Sequence, residues 1–503
     1  MRKDIKMKKR ITALILSAAV MVSCAIGFSG CKGGGKTIKW VQLGERQPNT
    51  DAVIEKMNEI IEPELGMKLE IEYIDTASFA EKAKMKMASG EDFDIIWAGY
   101  LNDYQTAVSL EGLMDITDLL DDIEMKDGKK VKMNDAVEEY FLNAAKIDGR
   151  IYGVPNMQVV SNPFTYVIRK SVAEKCGIDF EGLEKMATTS NTLESAKAYM
   201  DKLTNEMAKA KAKAPDLYVT NPGTNPAFRN IYEEIVSGVG IRKDGSSNEV
   251  VNIKDTEEFK YGVDKMREWF EKGYIRSDIA SKGNAITSND EKRQYAFRMD
   301  TWKPGQAPTD AKNLGEEVVY SKVEAPYVGR TSPLATMLAV GRNSKHPEEA
   351  VKLIYMLNSD KELYNLICWG IEGVDYKKND DGRITKIKNS GYDDVGETAW
   401  RYGNQFNALI TDEQELTVWD ETKKMNDEAR KSPAIGFVPN TESITTEMAN
   451  ITNVNSEYKA KMEFGTAPRA EYWDEYMQKL KTAGIDKVRK EIQRQYDEFL
   501  KNK

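Results

Sequence analysis

The side chains that most often perform acid–base catalysis or hold transition metals are scarce in this sequence of 503 residues. Histidine occurs once, at His346, so a zinc site built from several histidines has no ligands to use. A Ser-His-Asp or Cys-His triad would need this one residue, and the following Pro347 and Glu348 are typical of the first turn of a helix. We therefore expect no catalytic residues of these kinds, no metal and no cofactor.

Carboxylate chemistry needs no histidine, and the chain contains 81 acidic residues. A glycoside hydrolase uses two carboxyl groups on either side of the scissile bond. No such pair stands out by its spacing, so a surface glycosidase is an alternative hypothesis and a non-enzyme is the main one. The formal net charge of −9 argues against nucleic-acid binding, because an acidic surface repels a phosphate backbone.

A phosphate-binding pattern, G-x-x-x-x-G-K-T, occurs at residues 30–37. This pattern holds phosphate only when a strand precedes it and a helix follows it. Here an apolar leader precedes it and a strand-like run follows it. We therefore interpret residues 31–36 as a flexible, glycine-rich tether.

The N-terminus has the layout of an export signal. A basic segment at residues 8–10 precedes a short apolar run at residues 11–25, and small residues lead to Cys31. Met7 is an alternative start, because Met-Lys-Lys-Arg makes a complete basic region. No later segment is comparably apolar, so we expect the rest of the chain to lie outside the membrane.

The cysteine at the end of this leader is the more informative feature. Residues 28–31 (Phe-Ser-Gly-Cys) resemble the lipobox of bacterial lipoproteins, in which the cysteine is lipidated and becomes the first mature residue. We expect a signal peptide over residues 1–30, a lipid anchor on Cys31 and a position at the outer face of the cell membrane. Plain secretion is the alternative. Cys176 and Cys368 are expected to be small buried residues.

Strand-like and helix-like patterns alternate at the start of the mature chain. Strands are predicted at residues 37–43, 67–74 and 94–97, with helices at 51–61 and 78–88. This order indicates a parallel sheet with helices on both faces, and such sheets bind ligands at the carboxyl ends of their strands. Gln42, Glu45, Trp97 and Tyr100 stand near those ends.

Further elements follow along the chain. Turn and capping signals predict hairpins at residues 146–152 and 374–387 and strands at 164–168 and 338–340. Helices are predicted at residues 192–214, 259–271, 347–357, 361–369 and 485–500. The helix at 361–369 is preceded by a capping box that begins at Ser359.

The sequence then resembles a known family, the extracellular solute-binding proteins of bacterial ABC importers, in their large carbohydrate-associated type. The resemblance is carried by residues 148–155 (DGRIYGVP), 166–177, 344–376 and 432–480, of which 344–376 is the most specific. It implies an α/β, two-lobed periplasmic-binding-protein-like fold of type II with a ligand cleft between the lobes. It also implies a partner permease that recognises the closed form.

The resemblance divides the mature chain between two lobes. The first lobe is expected at residues 37–156 and 331–389, and the second at 157–330 and 390–503, where the last part includes the C-terminal helices. Ligand would lie in the cleft between the lobes, and hinge closure would bury it.

Sugar is the ligand that the loop-borne aromatic residues favour. Flat rings suit the apolar faces of sugars, and amide, carboxylate and guanidinium groups suit their hydroxyls. The predicted ligand-binding residues are Gln42, Glu45, Trp97, Tyr100, Asn156, Trp302, Trp369, Glu372, Trp400 and Asn404.

The resulting interpretation is a lipid-anchored, monomeric binding protein that delivers a small solute, an oligosaccharide by preference, to an ABC permease. Three alternatives stay open at this point. The first is the carboxylate glycosidase, the second is a binding protein for a non-sugar solute such as a peptide, and the third is a solute receptor that serves signalling without transport.

Overall fold

The computed structural model describes residues 36–221, 229–283, 286, 288–392 and 396–502, with the backbone alone at residues 396–398. The predicted signal peptide, Cys31 and all of the tether except Lys36 lie outside these residues. Within the described ranges, no helix is long and apolar enough to cross a bilayer.

The described chain alternates between strands and helices along its whole length. The strands are β1 (Thr37–Leu43), β2 (Lys68–Ile74), β3 (Ile95–Gly99), β4 (Ile123–Glu124), β5 (Lys130–Val131), β6 (Gly153–Pro155), β7 (Phe164–Arg169), β8 (Tyr218–Asn221), β9 (Tyr232–Val236), β10 (Val239–Arg242), β11 (Val251–Asn252), β12 (Tyr295–Thr301), β13 (Val318–Lys322), β14 (Tyr327–Val328), β15 (Thr336–Val340), β16 (Tyr376–Lys378), β17 (Ile384–Lys386) and β18 (Arg430–Lys431).

The helices are α1 (Thr50–Leu65), α2 (Phe79–Ser89), α3 (Tyr104–Ser109), α4 (Glu139–Ala144), α5 (Lys170–Cys176), α6 (Phe180–Thr189), α7 (Leu193–Lys213), α8 (Glu257–Glu271), α9 (Ile279–Lys282), α10 (Asn289–Lys292), α11 (Gln306–Leu314), α12 (Pro347–Ser359), α13 (Lys361–Trp369), α14 (Val418–Glu428), α15 (Thr445–Phe464), α16 (Trp473–Ala483) and α17 (Ile485–Asn502).

The first lobe is built on a five-stranded sheet in the order β2-β1-β3-β15-β6. Strands β1, β2 and β3 are parallel, as the sequence predicts, and β15 and β6 join as antiparallel neighbours. All five residues of β3 and all five of β15 are buried, because helices cover both faces of the sheet.

The core of this lobe extends further along the sequence than expected. The predicted division assigns residues 390–503 to the second lobe. The hydrophobic cluster around β1 instead includes Tyr392, Tyr402, Phe406 and Ala429. The ring of Tyr402 packs edge-on against Trp40 of β1 with 6.1 Å between centroids, so these four residues pack with the first sheet.

The second lobe is built on a four-stranded sheet in the order β13-β7-β12-β8. Its core is a separate hydrophobic cluster in which α7 and α8 pack against the sheet, and Trp269 donates a hydrogen bond to Thr204 at 2.8 Å. Helix α7 begins where the sequence predicts, since the Thr192 hydroxyl accepts from the backbone N–H of Ser195.

A third hydrophobic cluster contains the C-terminal helices. Helices α15, α16 and α17 pack with one another and with the three-stranded sheet β11-β10-β9 and part of α8. The buried face of α17 contains Ile485, Val488, Ile492 and Tyr496, which is the face that its sequence periodicity predicts.

Three segments connect the first sheet with the rest of the molecule. Residues 156–163 lead from β6 to β7, β14 lies on the return path, and β18 follows α14. Strands β14 and β18 pair in parallel, and Asn426 of α14 binds the first segment by donating to the carbonyl of Gln158 at 2.8 Å. The same Asn426 side chain accepts from the backbone N–H of Val160.

Most local predictions agree with these elements, and one cap differs. Asp148 and Gly149 have φ values of 50° and 79°, as a type I′ turn requires, and the turn is closed by a single bridge between Ile147 and Arg150. Helix α13 is capped by Asp360 and not by Ser359. The Asp360 carboxylate accepts from two backbone N–H groups, which a carboxylate does better than a hydroxyl.

Candidate functional site

Three aromatic rings meet where the first sheet ends. Trp97 lies in β3, Tyr100 follows that strand, and Trp400 lies in the 3-10 turn Gly396–Arg401. The ring centroids are 5.7 Å apart for Trp97 and Tyr100, 6.5 Å for Trp97 and Trp400, and 6.1 Å for Tyr100 and Trp400. We call these three residues the aromatic cluster.

The members of the aromatic cluster differ in exposure. Trp97 is fully buried and packs edge-on against Phe79, whereas Tyr100 is 59% exposed and Trp400 is half-buried. A ligand can therefore contact Tyr100 and Trp400, while Trp97 supports them from below.

The hydroxyl of Thr336 holds the cluster together. It accepts hydrogen bonds from the Trp97 indole at 2.8 Å and from the Asn156 amide at 2.9 Å. The Asn156 amide also donates to the backbone carbonyl of Trp400 at 3.2 Å. Thr336 begins β15 and Asn156 follows β6, so the first sheet fixes the position of the Trp400 ring. Asn156 itself is buried and acts on Trp400 through its backbone.

A half-buried arginine lies behind Trp400. The Arg401 guanidinium carbon lies 4.9 Å from the Trp400 ring centroid, and its Nη1 donates to the carbonyl of Leu43 at 3.2 Å. This contact links the aromatic cluster to the end of β1. Gln42, one residue earlier, is fully buried and donates to the same Leu43 carbonyl, whereas Glu45 lies exposed beyond the strand.

The edge of the second sheet offers another tryptophan. Trp302 follows β12 and is half-buried against Tyr320, with 6.5 Å between ring centroids. The Lys322 ammonium lies 4.1 Å from the centre of the Trp302 ring. The backbone N–H of Trp302 donates to Pro163, so this residue lies where the first connecting segment enters the second sheet.

The two edges are related by the path of the chain. Strand β6 runs in the same direction as β3, because both are antiparallel to β15. The chain therefore leaves the first sheet at the edge that carries the aromatic cluster. It enters the second sheet at Phe164, beside Thr301 and Trp302. The two edges lie at opposite ends of one connecting segment.

Three predicted residues stand apart from this group. Trp369 is buried at the end of α13, Glu372 is exposed and pairs with Lys378 at 2.6 Å, and Asn404 caps the turn Gln405–Asn407 through its side chain. Each has a local structural partner or a place in the core.

Several residues at these edges carried no sequence signal. Thr336 is one threonine at the start of a strand, and its role depends on partners 180 and 239 residues away. Lys322 likewise follows an ordinary strand pattern.

This arrangement of side chains is suited to binding a ligand. Exposed aromatic rings over a rigid, hydrogen-bonded base can stack on the apolar face of a ligand. Within the described ranges, no three His, Cys, Asp or Glu side chains come together as a metal site.

A two-lobed fold with aromatic side chains at both ends of a connecting segment is typical of a protein that holds a small ligand between its lobes. Residues 50–363, more than half of the chain, match the family "Bacterial extracellular solute-binding protein". The chain belongs to this family, as its sequence resemblance indicates, and the two-lobed fold class is confirmed. Family membership places the protein outside the cytoplasm. Residues 433–501 also match a domain of unknown function, DUF3502.

Several of the similar proteins come from Streptococcus pneumoniae. A carbohydrate ABC transporter substrate-binding protein of serotype 4 is 27% identical over 97% of this chain and 98% of its own. The crystal structure of the N-glycan transport solute-binding protein NgtS is 25% identical, with a TM-score of 0.76 over 93% of this chain and 99% of its own. NgtS in complex with Man5GlcNAc gives 25% identity and a TM-score of 0.64 over the same shares.

Proposed function

We propose that this protein captures an oligosaccharide between its two lobes and delivers it to an ABC import permease without changing it chemically. The observation that carries the proposal is the aromatic cluster. Its two accessible rings, Tyr100 and Trp400, stand at the end of the first sheet, and from this end the chain leads to Trp302 at the second sheet. Aromatic rings at both edges can stack on the two apolar faces of a sugar.

The polar surroundings favour a neutral ligand. Lys322 is at the second edge, but its ammonium also pairs with Glu184 at 2.7 Å and is thereby neutralised. Among the relatives, one is named for carbohydrate transport and another for N-glycan transport. Both names support an oligosaccharide as the solute, and both relatives are binding proteins, which supports a function without catalysis.

We infer that the first lobe comprises residues 37–156 and 331–429, with the second lobe and the C-terminal helices in the remainder. Packing of residues 392–429 against β1 supports this division. Closure around the ligand would then bend the segments at residues 156–163, β14 and β18. Such closure is favoured only as far as the ligand binds the closed form better than the open one.

The test is a titration of the mature protein with a panel of neutral glycans, followed by calorimetry and by tryptophan emission. The panel contains Man1GlcNAc as the short probe, Man5GlcNAc as the long probe, and maltose- and cellulose-derived oligosaccharides. We expect saturable binding of at least one glycan and recovery of that glycan intact. Binding of peptides in place of glycans, or release of shorter sugars, would contradict the proposal.

The binding residues are tested by a matched pair of variants. Trp400→Ala removes an exposed ring of the aromatic cluster, and we expect it to weaken glycan binding at least about tenfold, as loss of a hot-spot ring does. Trp419→Ala is the control, because Trp419 is also half-buried in the first lobe but donates to the carbonyl of Ala408. Equal affinities of the two variants would contradict a role of the cluster.

We also propose that a lipid on Cys31 anchors the protein to the outer face of the membrane and that the protein works as a monomer. The lipobox-like residues 28–31 and the glycine-rich tether support the anchor, because two acyl chains give stable attachment. In the native host, Cys31→Ser should move the protein from the membrane fraction to the medium. Retention in the membrane fraction would contradict the proposal.

A further inference from the structure

A cavity of about 430 Å³ lies beside the second sheet, in the size range of small-molecule sites. Its walls come from the segments that precede β7 and follow β13, from β9 of the three-stranded sheet, from the connecting strand β14 and the turn after it, and from helices α8 and α15. None of the ten residues predicted to bind ligand lines this cavity.

An arginine with unused hydrogen-bonding capacity faces the cavity. The Arg229 guanidinium stacks on Phe164, with 3.7 Å from its carbon to the ring centroid. Its side chain is only 16% exposed, and within the described part of the chain its buried Nε has no hydrogen-bond partner. The nearest carboxylate oxygen, on Glu324, lies 3.7 Å from this nitrogen. This nitrogen is itself shielded, so a ligand oxygen in the cavity meets the remaining, accessible part of the Arg229 side chain at the cavity wall.

Other charges in the wall balance one another. Lys243 pairs with Glu324 at 3.3 Å and lies 4.5 Å from the ring centre of Tyr327. Burial lowers the pKa values of Arg229 and Lys243, although the Glu324 carboxylate opposes the shift. The lining contains three cations, Arg229, Lys243 and Lys254, and four carboxylates, Glu233, Glu234, Glu324 and Glu463. An anionic ligand would therefore meet more carboxylates than cations.

The remaining lining mixes apolar side chains, among them Ile253, Phe259 and Met462, with uncharged polar ones such as Asn162 and Ser332. Interspersed donors, acceptors and apolar groups suit an uncharged molecule with many hydroxyls, since hydroxyls both donate and accept. A phosphate or carboxylate would bring a charge that this wall does not balance.

A short turn joins the cavity to the aromatic cluster. Ser332 lines the cavity and begins the turn Ser332–Leu334. The next residue, Ala335, accepts a hydrogen bond from the backbone N–H of Tyr100 at 3.1 Å. Ser332 in the cavity wall and Ala335 beside Tyr100 are thus only three residues apart along the chain.

We propose that this cavity is a second sugar subsite, which receives the uncharged far end or branch of an oligosaccharide held by the aromatic cluster. Arg229 is the residue that binds its hydroxyls there. This proposal rests on the function proposed above, and it adds a length requirement: short glycans use the aromatic cluster alone, and long glycans use both sites.

The test compares Arg229→Gln with a matched control, Arg276→Gln, in the mature protein. Arg276 also stacks on an aromatic ring, Tyr218, at 5.0 Å and is 18% exposed, but it lies outside the cavity and pairs with Asp278. We expect Arg229→Gln to weaken binding of the long probe at least tenfold and to leave the short probe within twofold of wild type. Arg276→Gln should match wild type for both probes.

Other results have definite meanings. Equal affinities of the two variants for the long probe, or an equal loss for both probes in Arg229→Gln, would overturn the subsite and leave the proposed function intact. Failure of the wild-type protein to bind any glycan in the panel would refute the proposed function. Displacement of the long probe by inorganic phosphate at constant ionic strength would show an anion site and overturn the proposal.

A second cavity variant covers the case in which Arg229→Gln does not fold, as judged by circular dichroism. Lys243→Gln changes a lining residue whose side chain is 12% exposed. We expect the same selective loss for the long probe, and wild-type binding by Lys243→Gln would then overturn the proposal.

Discussion

Trp97 and Trp400 have identical side chains, but their accessibility differs because they occupy different positions in the fold. Spacing along the sequence correctly places Trp400 beside a turn, but it places Trp97 at the end of a strand, whereas Trp97 is the third of the five residues of β3. It does not reveal that Trp97 is buried under Phe79 while Trp400 remains accessible, because these contacts join residues that are far apart in sequence. Residue types and local patterns predicted the kind of site, and tertiary contacts decided which rings are available.

Asp115 holds the turn at Asp148 and Gly149 close to the first sheet. Its carboxylate accepts from the Thr117 hydroxyl at 2.6 Å and from the Arg150 guanidinium. Burial alone would raise the pKa of Asp115, but these hydrogen bonds and the positive charge of Arg150 lower it below its usual value. The charged form is therefore favoured in the folded protein.

We predict that Asp115→Asn lowers the free energy of unfolding by about 1 kcal/mol near pH 7, the usual value of a partly exposed charged hydrogen bond. A depressed folded-state pKa stabilises the protein above the unfolded value of about 4, and this gain is lost as the pH falls through the folded-state value. The difference in melting temperature from wild type should thus shrink below about pH 4. Asp118→Asn is the control, because Asp118 also pairs with Arg150 but is 83% exposed. A difference that is independent of pH would contradict this assignment.

The elements themselves were largely predictable, because their signals are local. The capping threonine before α7 and the apolar face of α17 can be read from neighbouring residues. The β-α-β-α-β order of the first lobe follows from hydrophobic periodicity alone. The cap of α13 was misplaced by one residue, since Ser359 and Asp360 both fit the capping pattern and only the folded geometry distinguishes them.

Helix α15 ends at a glycine that lies directly against α8. Gly465 has a φ of 69°, and a β-carbon added there would collide with the backbone carbonyl of Met266. Gly315, at the end of α11, has a φ of 79°, but a β-carbon there would meet nothing within 4 Å. The two glycines share a left-handed backbone and differ in their surroundings.

We predict that Gly465→Ala destabilises the protein by about 1–3 kcal/mol more than Gly315→Ala does. Both variants pay for the left-handed conformation, roughly 1–2 kcal/mol, and only Gly465→Ala must also move α15 away from α8. Thermal unfolding followed by circular dichroism measures the difference. Similar melting temperatures for the two variants would mean that the helices separate without cost.

At the scale of the whole molecule, one carboxylate joins the C-terminal part to both connecting strands. Glu233 of β9 accepts from the Tyr327 hydroxyl at 2.8 Å and from the backbone N–H of Arg330 at 2.6 Å, both at β14. It also accepts from the hydroxyl of Ser432, which follows β18. The segments proposed to bend during closure are therefore both tied by this side chain to β9, whose sheet packs with the C-terminal helices.

We predict that Glu233→Gln increases hydrogen exchange at residues 327–332 and 430–434 at least about tenfold, because the amide group replaces one acceptor with a donor. Exchange in β12, within the core of the second sheet, should stay unchanged.

Glu234→Gln is the matched control for this prediction. Glu234 is the next residue of β9, and its carboxylate accepts from the backbone N–H of Gly238 in the adjoining turn. Faster exchange at the connecting strands in Glu234→Gln as well would assign the effect to β9 as a whole and contradict a specific role of Glu233.

The packing of Tyr402 against Trp40 has a consequence for how the chain matures. Trp40 lies in β1, the first strand of the described chain, and its packing partner Tyr402 is synthesised only some 360 residues later. Until residue 402 has been made, the nascent chain therefore lacks part of the hydrophobic core of its first sheet. Truncation anywhere before residue 400 should leave an aggregation-prone fragment, and an autonomous N-terminal half is not to be expected from this topology.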